Sequence, residues 1–225
     1  MTEASNWLLD LVFPRYCLGC EKLLDDLAGR QVCVVCLTAI PLKKESACAF
    51  CRAPVAGGKT CPFCRRDHYL DRLLVATGYE EPLVERMLKA MKYRFVRSLT
   101  DDIAALMIRY LEISKYLNNE VFPVVIPVPL HHRRLNWRGF NQAELMAQKI
   151  CEHFNWPLRT AVLKRTRHTA PQADIKDRAS RIRNAAGLFA CVPSNDLRGK
   201  SILLIDDIST TGSTLNDCAR ALKAA

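Results

Sequence analysis

The sequence contains no apolar run near the roughly 18 residues that a membrane-spanning helix requires, so no span is expected. Its first residues, Met1-Thr2-Glu3, carry no basic segment, and the first apolar patch, Trp7 to Phe13, is short and interrupted by Asp10. That argues against a secretory signal and for a cytoplasmic protein. Trp7, Leu8, Leu11 and Val12 are expected instead on one face of a short helix that packs down. Low-complexity tracts are absent as well. Histidine is scarce, at five residues, and its spacing suits no metal; the adjacent His131 and His132 read as polar loop residues.

What remains is an ordinary globular composition. Of 225 residues, 49% are hydrophobic and 25% charged, enough for one substantial core or for one core and a small satellite module. The formal net charge is +10. A basic balance favours a polyanionic partner, although a solvated basic surface accounts for it equally well.

Cysteine is abundant and ordered. Eight of the eleven fall into Cys-x-x-Cys pairs, Cys17/Cys20, Cys33/Cys36, Cys48/Cys51 and Cys61/Cys64, separated by 12, 11 and 9 residues. A two-residue gap lets a tight turn aim two sulfurs at one ion, and two such turns complete a tetrahedral site. Disulfides would suit a secreted chain, and a redox dithiol would need a single pair. Two structural zinc ions are therefore expected; on eight thiolates they lower the net charge to +6. Sequential pairing, giving two successive zinc ribbons, closes shorter loops than a cross-braced scheme and is preferred. Four thiolates leave no open position for water, so neither site is expected to be catalytic.

The pattern changes near Asp71, which sets expected domains of 1–70 and 71–225. Arg72 to Tyr79 reads as a strand. Pro82 to Lys92 reads as a helix, and so does Leu99 to Leu117, with Thr100-Asp101-Asp102 as its N-cap. Val124 to Val128 is a buried strand, Asn141 to Phe154 a helix, Ser201 to Ile205 a second buried strand, and Leu215 begins another helix. Strands alternating with helices predict an α/β domain with a parallel sheet.

One stretch carries chemistry. In Ile202-Leu203-Leu204-Ile205-Asp206-Asp207-Ile208-Ser209-Thr210-Thr211-Gly212-Ser213-Thr214, a buried strand delivers two carboxylates where open α/β sheets bind ligands. Small hydroxyl residues and a glycine follow, and then a helix begins. Helix N-terminal N–H groups favour an anion, the hydroxyls of Ser209, Thr210, Thr211, Ser213 and Thr214 can add donors, and Gly212 permits close backbone approach. Asp206 and Asp207 suit ribose hydroxyls, or a magnesium ion shared with pyrophosphate. A sugar 5′-phosphate is the expected ligand.

This stretch resembles the phosphoribosyl pyrophosphate (PRPP) signature of type I phosphoribosyltransferases. The likeness extends through Val128-Pro129-Leu130, Arg133, Arg134, Arg138-Gly139-Phe140-Asn141-Gln142, Arg165-Thr166, Gln172 and Arg181-Ile182-Arg183-Asn184. Together with the N-terminal Cys-x-x-Cys pairs, this combination is similar to the ComF family (ComFC, GntX-like) over nearly the whole chain. The resemblance implies a phosphoribosyltransferase-like domain after a small Cys₄ zinc-ribbon module, with magnesium and PRPP as ligands. It implies that Pro127 to Leu130, with Pro129 and Leu130, holds pyrophosphate, and that Arg165 to Asn184 forms a loop covering the ligand. It also implies a part in natural transformation, with handling of single-stranded DNA and a DNA-uptake helicase or another competence protein as partner. The family pattern would place a further strand after the helix that runs to Ala225.

Basic residues interleaved with aromatics add a nucleic-acid reading. Lys89, Lys92, Arg94, Arg133, Arg134, Arg138, Arg178 and Arg181 are candidates, with Tyr93, Phe95, Trp137 and Phe140 nearby. The competing expectation sends some of these arginines to pyrophosphate, and Phe95 and Phe140 to the core. Three functions remain open: a PRPP-binding, single-strand-handling protein; an active transferase, although no element specifying an acceptor base is recognisable; and a zinc-dependent docking module.

Overall fold

The computed structural model describes residues 14–24, 29–44, 47–114, 123–166, 187–192 and 195–225. The expected N-terminal helix with Trp7, Leu8, Leu11 and Val12 lies outside the described residues, as do Gln172, Arg178, Arg181 and most of the expected covering loop.

Chain order sets the labels. α1 is Val34–Ala39, α2 Pro82–Tyr93, α3 Leu99–Ile113, β1 Val124–Pro127, α4 His132–Arg138, α5 Gln142–Phe154, β2 Leu163–Arg165, β3 Phe189–Cys191, β4 Ile202–Ile205 and α6 Ser213–Lys223. β1 and β4 pair in parallel, Val124 opposite Ile202 through Pro127 opposite Ile205. On its other side β1 bridges to Leu158, again in parallel. β1 is buried along its whole length, which explains its unbroken aliphatic run. β2 and β3 form a small antiparallel pair.

Local chemistry accounts for the helix ends. Pro82 occupies the first turn of α2, where its missing N–H costs nothing. Asn141 caps α5 by accepting the N–H of Ala143 at 3.2 Å. α4 ends on Gly139 and α5 on Asn155, both left-handed, as helix C-termini favour. α2 departs from this habit: its left-handed terminal residue is Phe95, at φ 56°, and the N–H of Val96 closes the turn onto Ala90 O.

Two expectations are corrected. Arg72 to Tyr79 is not a strand. It meets the short turn at Ala56–Gly58 through one bridge, Lys59 to Arg72, closed by Thr60 N–H to Asp71 O and Leu73 N–H to Gly58 O. It also meets the stretch at Pro41–Lys43, through Lys43 N–H to Ala76 O and the Thr77 hydroxyl to Pro41 O, and neither contact builds a ladder. The cap of α3 is also misplaced. The helix begins at Leu99, so Thr100, Asp101 and Asp102 lie in its first turn; Asp102 is buried and accepts the N–H of Gln31 at 3.1 Å. Helix α3 is described through Ile113, short of the expected Leu117.

The apolar interior forms two clusters. One joins Cys17, Val32, Leu37 and Ile40 to α2, α3 and α5. The other joins Cys48, Ala49, Phe50, Cys64 and Leu70 to β1, β2, β3 and α6. Each cysteine set thus shares a core with the α/β part. Among the described residues no helix is long and apolar enough to cross a membrane.

Candidate functional site

The eight paired cysteines converge in two groups, Cys17, Cys20, Cys33, Cys36 and Cys48, Cys51, Cys61, Cys64, each with its sulfurs within 4.8 Å of one another. This is the sequential pairing. Backbone N–H groups of Gly19 and Cys33 both reach Cys17 Sγ at 3.3 Å, and Cys64 N–H reaches Cys61 Sγ at 3.4 Å. Gly19 is required, since a Cβ there would lie 2.7 Å from Cys36 Sγ. Crowding divides each set. Burial opposes ionisation, yet N–H donation brings Cys17 and Cys48 down to about 6. Burial and the neighbouring sulfurs push Cys36 and Cys64 up to about 12. A divalent cation on four thiolates resolves that conflict, and the donor set fits zinc.

The phosphate-type loop lies at the C-terminal edge of the parallel pair. β4 ends at Ile205, Asp206 and Asp207 follow, and Gly212 precedes α6 in the left-handed region at φ 72°. The N-cap residue Gly212 has no side chain to cap α6, and Thr211 Oγ1 accepts only the first N–H, that of Ser213 at 3.4 Å, which leaves the rest of the N-terminus suited to an anion. Thr211 and Ser213 are buried and share a hydroxyl–hydroxyl hydrogen bond of 2.6 Å. Ser209 Oγ is buried without a partner. Thr210 is exposed and Thr214 half-buried. Pro129 and Leu130 are half-buried on the turn after β1, which β4 brings alongside.

The two carboxylates differ. Asp206 accepts the N–H of Asp207 at 2.9 Å, yet burial, reinforced by the charge of Asp207, pushes it up to about 8. Asp207 is engaged by a chain of side chains. Lys92 Nζ pairs with its Oδ2 at 2.9 Å, Gln142 Nε2 donates to the same oxygen at 3.2 Å, and Arg138 Nη1 donates to Gln142 Oε1 at 2.6 Å. The Asp207 side chain is only 5% exposed. Arg138 Nε is buried and unpartnered. Burial first, and the charge of Arg134 among the further causes, hold Arg138 and Arg165 below the usual guanidinium value. Arg165 also lies over the Phe189 ring, 5.6 Å from its centroid.

The basic candidates thus divide. Lys92, Arg138 and Arg165 turn toward the acids, with Arg134 close by. Lys89 pairs with Glu85 on the exposed face of α2, and Arg94 and Arg133 are exposed. Phe140 is buried, as the core reading expects, but Phe95 is 39% exposed. His131 is a buried cap rather than a loop residue, its ring accepting the N–H of Arg133 at 3.3 Å.

Residue spacing did not reveal the wall behind the loop. The second cysteine knuckle lies against it: a Cβ on Gly212 would meet Ala49 and Phe50 at 3.4 and 3.5 Å. Arg52, left-handed at φ 66°, donates from Nη2 to Thr210 O. Asn216 Oδ1 accepts the N–H groups of Tyr69 and Leu70 at 2.8 and 3.1 Å. A left-handed side-chain-bearing residue costs about 1–2 kcal/mol, and the contact with Thr210 offsets part of that cost. The only advance signal is the knuckle's own spacing, which places a turn at Arg52.

Comparison with known proteins agrees with this architecture. The double zinc ribbon domain model matches residues 8–65, and the phosphoribosyl transferase domain model matches residues 138–225. The chain is 30% identical over 220 residues to DNA utilization protein YhgH of Salmonella typhi, covering 94% of this chain and 92% of that one. It is 27% identical to competence protein F of Haemophilus influenzae, over 85% of this chain and 90% of that one. It is 27% identical to competence protein ComFC of Bacillus subtilis, over 92% and 88%. No solved structure matches. Two Cys₄ ribbons, an acid-tipped parallel strand leading into a hydroxyl-rich loop, and 30% identity to a relative over 94% of the chain together show that the chain belongs to the ComF family.

Proposed function

We propose that the pocket at Ile202 to Thr214 binds PRPP with magnesium, and that the protein handles single-stranded DNA during natural transformation, in the cytoplasm. One observation carries the pocket reading. Among the described residues, the buried side-chain nitrogen and oxygen atoms without a partner are Arg138 Nε and Ser209 Oγ, and both belong to this site. Buried polar atoms are nearly always satisfied, so the pair calls for a polar ligand. In this reading the α6 N-terminus and the hydroxyls of residues 209–214 hold the 5′-phosphate. Asp206 and Asp207 orient the ribose, and Arg165 and the turn at Pro129 and Leu130 face the pyrophosphate. Asp206 and Asp207 would also hold magnesium, which supplies charge neutralisation to the pyrophosphate when bound; Lys92 would then be released from Asp207. The transformation role is supported by the relatives named for competence and DNA utilization.

Calorimetric titration with PRPP and magnesium, with and without single-stranded DNA, tests the reading. Binding is expected in wild type and lost in Asp206→Ala with Asp207→Ala, which should also abolish transformation. Absence of PRPP binding by wild type, or normal transformation by the double variant, overturns it. The alternative, active phosphoribosyl transfer to an acceptor, is favoured by the crowding of Arg134, Arg138 and Arg165, which suits a departing pyrophosphate. It predicts pyrophosphate release from PRPP across a panel of acceptors and fails if none exceeds background.

A further inference from the structure

Phe95 is an outlier. It takes the left-handed terminal position of α2, where α4 uses glycine and α5 asparagine. A bulky aromatic there is disfavoured, and such strain concentrates at ligand sites. The position turns its ring outward, where it meets Trp137 edge to face with centroids 4.8 Å apart. Trp137 is 62% exposed, and Tyr93, also exposed, lies two residues before Phe95. Large aromatic surface is thus left in solvent.

Its location is defined by bonds already described. Phe95 lies three residues after Lys92, which reaches Asp207, and Trp137 immediately precedes Arg138, which reaches the same acid through Gln142. The ring pair therefore sits on the rim of the candidate pocket. Arg94 and Arg97 flank Phe95 along the chain, Arg133 lies one helical turn before Trp137 on α4, and all three are exposed. Protein interfaces also favour aromatics and arginine, but here both lie beside a hydroxyl-rich, anion-type loop, a combination that matches a ligand with flat rings and phosphates.

We propose that Phe95 and Trp137 form a stacking platform for a nucleobase at the pocket rim, with Arg94, Arg97 and Arg133 taking the adjoining phosphates. The platform rests on the single-strand reading above and gives it a site. A base stacks on the exposed surface of Trp137, and the edge-to-face contact with Phe95 braces the indole. Every base has such a face, so recognition is tolerant of sequence.

The test compares a short labelled oligothymidylate with an abasic strand of equal length and charge, by fluorescence anisotropy. Wild type should bind the base-bearing strand about tenfold or more tightly over the abasic one. Trp137→Ala and Phe95→Gly should erase that advantage while leaving abasic binding and PRPP titration unchanged; Trp137→Phe should retain most of it. Phe95→Gly should melt no lower than wild type, because glycine relieves the left-handed turn. That separates loss of the platform from loss of fold. Variants that keep the full advantage, or a wild type that prefers neither strand while binding both, overturn the platform and leave the PRPP pocket standing. If wild type binds neither strand but a nucleoside monophosphate quenches an emission absent from Trp137→Phe, the platform stands on free nucleotides and the single-strand reading alone fails.

Discussion

Asp206 carries a carboxyl whose proton is held up to about 8, against an ordinary 3.8, by burial and by the neighbouring Asp207. The folded chain therefore keeps a proton that the unfolded chain releases across that window. Its contribution to stability is full below the ordinary value and is lost as pH rises toward about 8. Asp206→Asn cannot ionise and escapes this loss, so its melting temperature should rise relative to wild type between about pH 5 and about pH 8. Parallel melting curves for the two proteins would refute the assignment. Asp217 is a second informative residue. Buried on α6, it accepts the N–H groups of Gly187, Leu188 and Phe189 and pairs with Arg220 at 2.8 Å. Asp217→Ala strands those three donors and should cost about 3 kcal/mol or more in a denaturant melt, while Arg220 keeps its bond to Phe189 O and its access to solvent. Legibility at this scale followed distance along the chain. The acids and hydroxyls of the loop are contiguous and were read directly. Lys92 and Arg52 were not placed there, because each reaches the loop across more than a hundred residues. Phe95 was legible as an aromatic among basic residues, but nothing in its neighbours' types announces its left-handed backbone.

Among the elements, the second ribbon has the largest effect on the site. It walls the loop through Ala49, Phe50 and Arg52, ties α6 through Asn216, and adds the pair of Lys223 with Asp71 at 2.8 Å. A docking module separable from the pocket would leave PRPP affinity intact when Cys48 and Cys51 become serine. The packing leads to the opposite expectation. Cys48→Ser with Cys51→Ser should weaken PRPP binding about tenfold or more, with the helical signal of α2, α3 and α5 largely retained. Calorimetry beside circular dichroism reads both, and unchanged affinity would show that the wall is dispensable. The strands and helices were legible wherever their pattern was local and complete: the aliphatic run of β1, and the spacing of α2 and α5. Arg72 to Tyr79 was misread because a short aliphatic run marks a half-buried segment whether or not a full strand lies beside it, and here it meets only a turn and isolated hydrogen bonds at Pro41 and Lys43.

Across the whole molecule, neither ribbon is an appendage. Arg109 of α3 donates to the carbonyls of Leu37 and Ile40 behind the first ribbon, and Cys17 and Cys48 sit fully buried in the two clusters. Structural zinc contributes about 10–16 kcal/mol of apparent binding free energy in small modules, as much as a typical domain's whole net stability of about 5–15 kcal/mol. Removing zinc with a strong chelator should therefore abolish cooperative melting of the entire chain. Limited proteolysis should then leave no resistant fragment spanning 71–225; a surviving fragment would show that the α/β part stands alone. The tie at Asn216 has one more consequence, in the order of synthesis. Tyr69 and Leu70 leave the ribosome 147 and 146 residues before the helix that accepts their N–H groups. At translation speeds of about 5–20 residues per second that interval is roughly 7 to 30 s. Throughout it, the surface of Ala49 and Phe50 that faces Gly212 waits without its cover, and the metal is what keeps their knuckle in shape until that partner arrives.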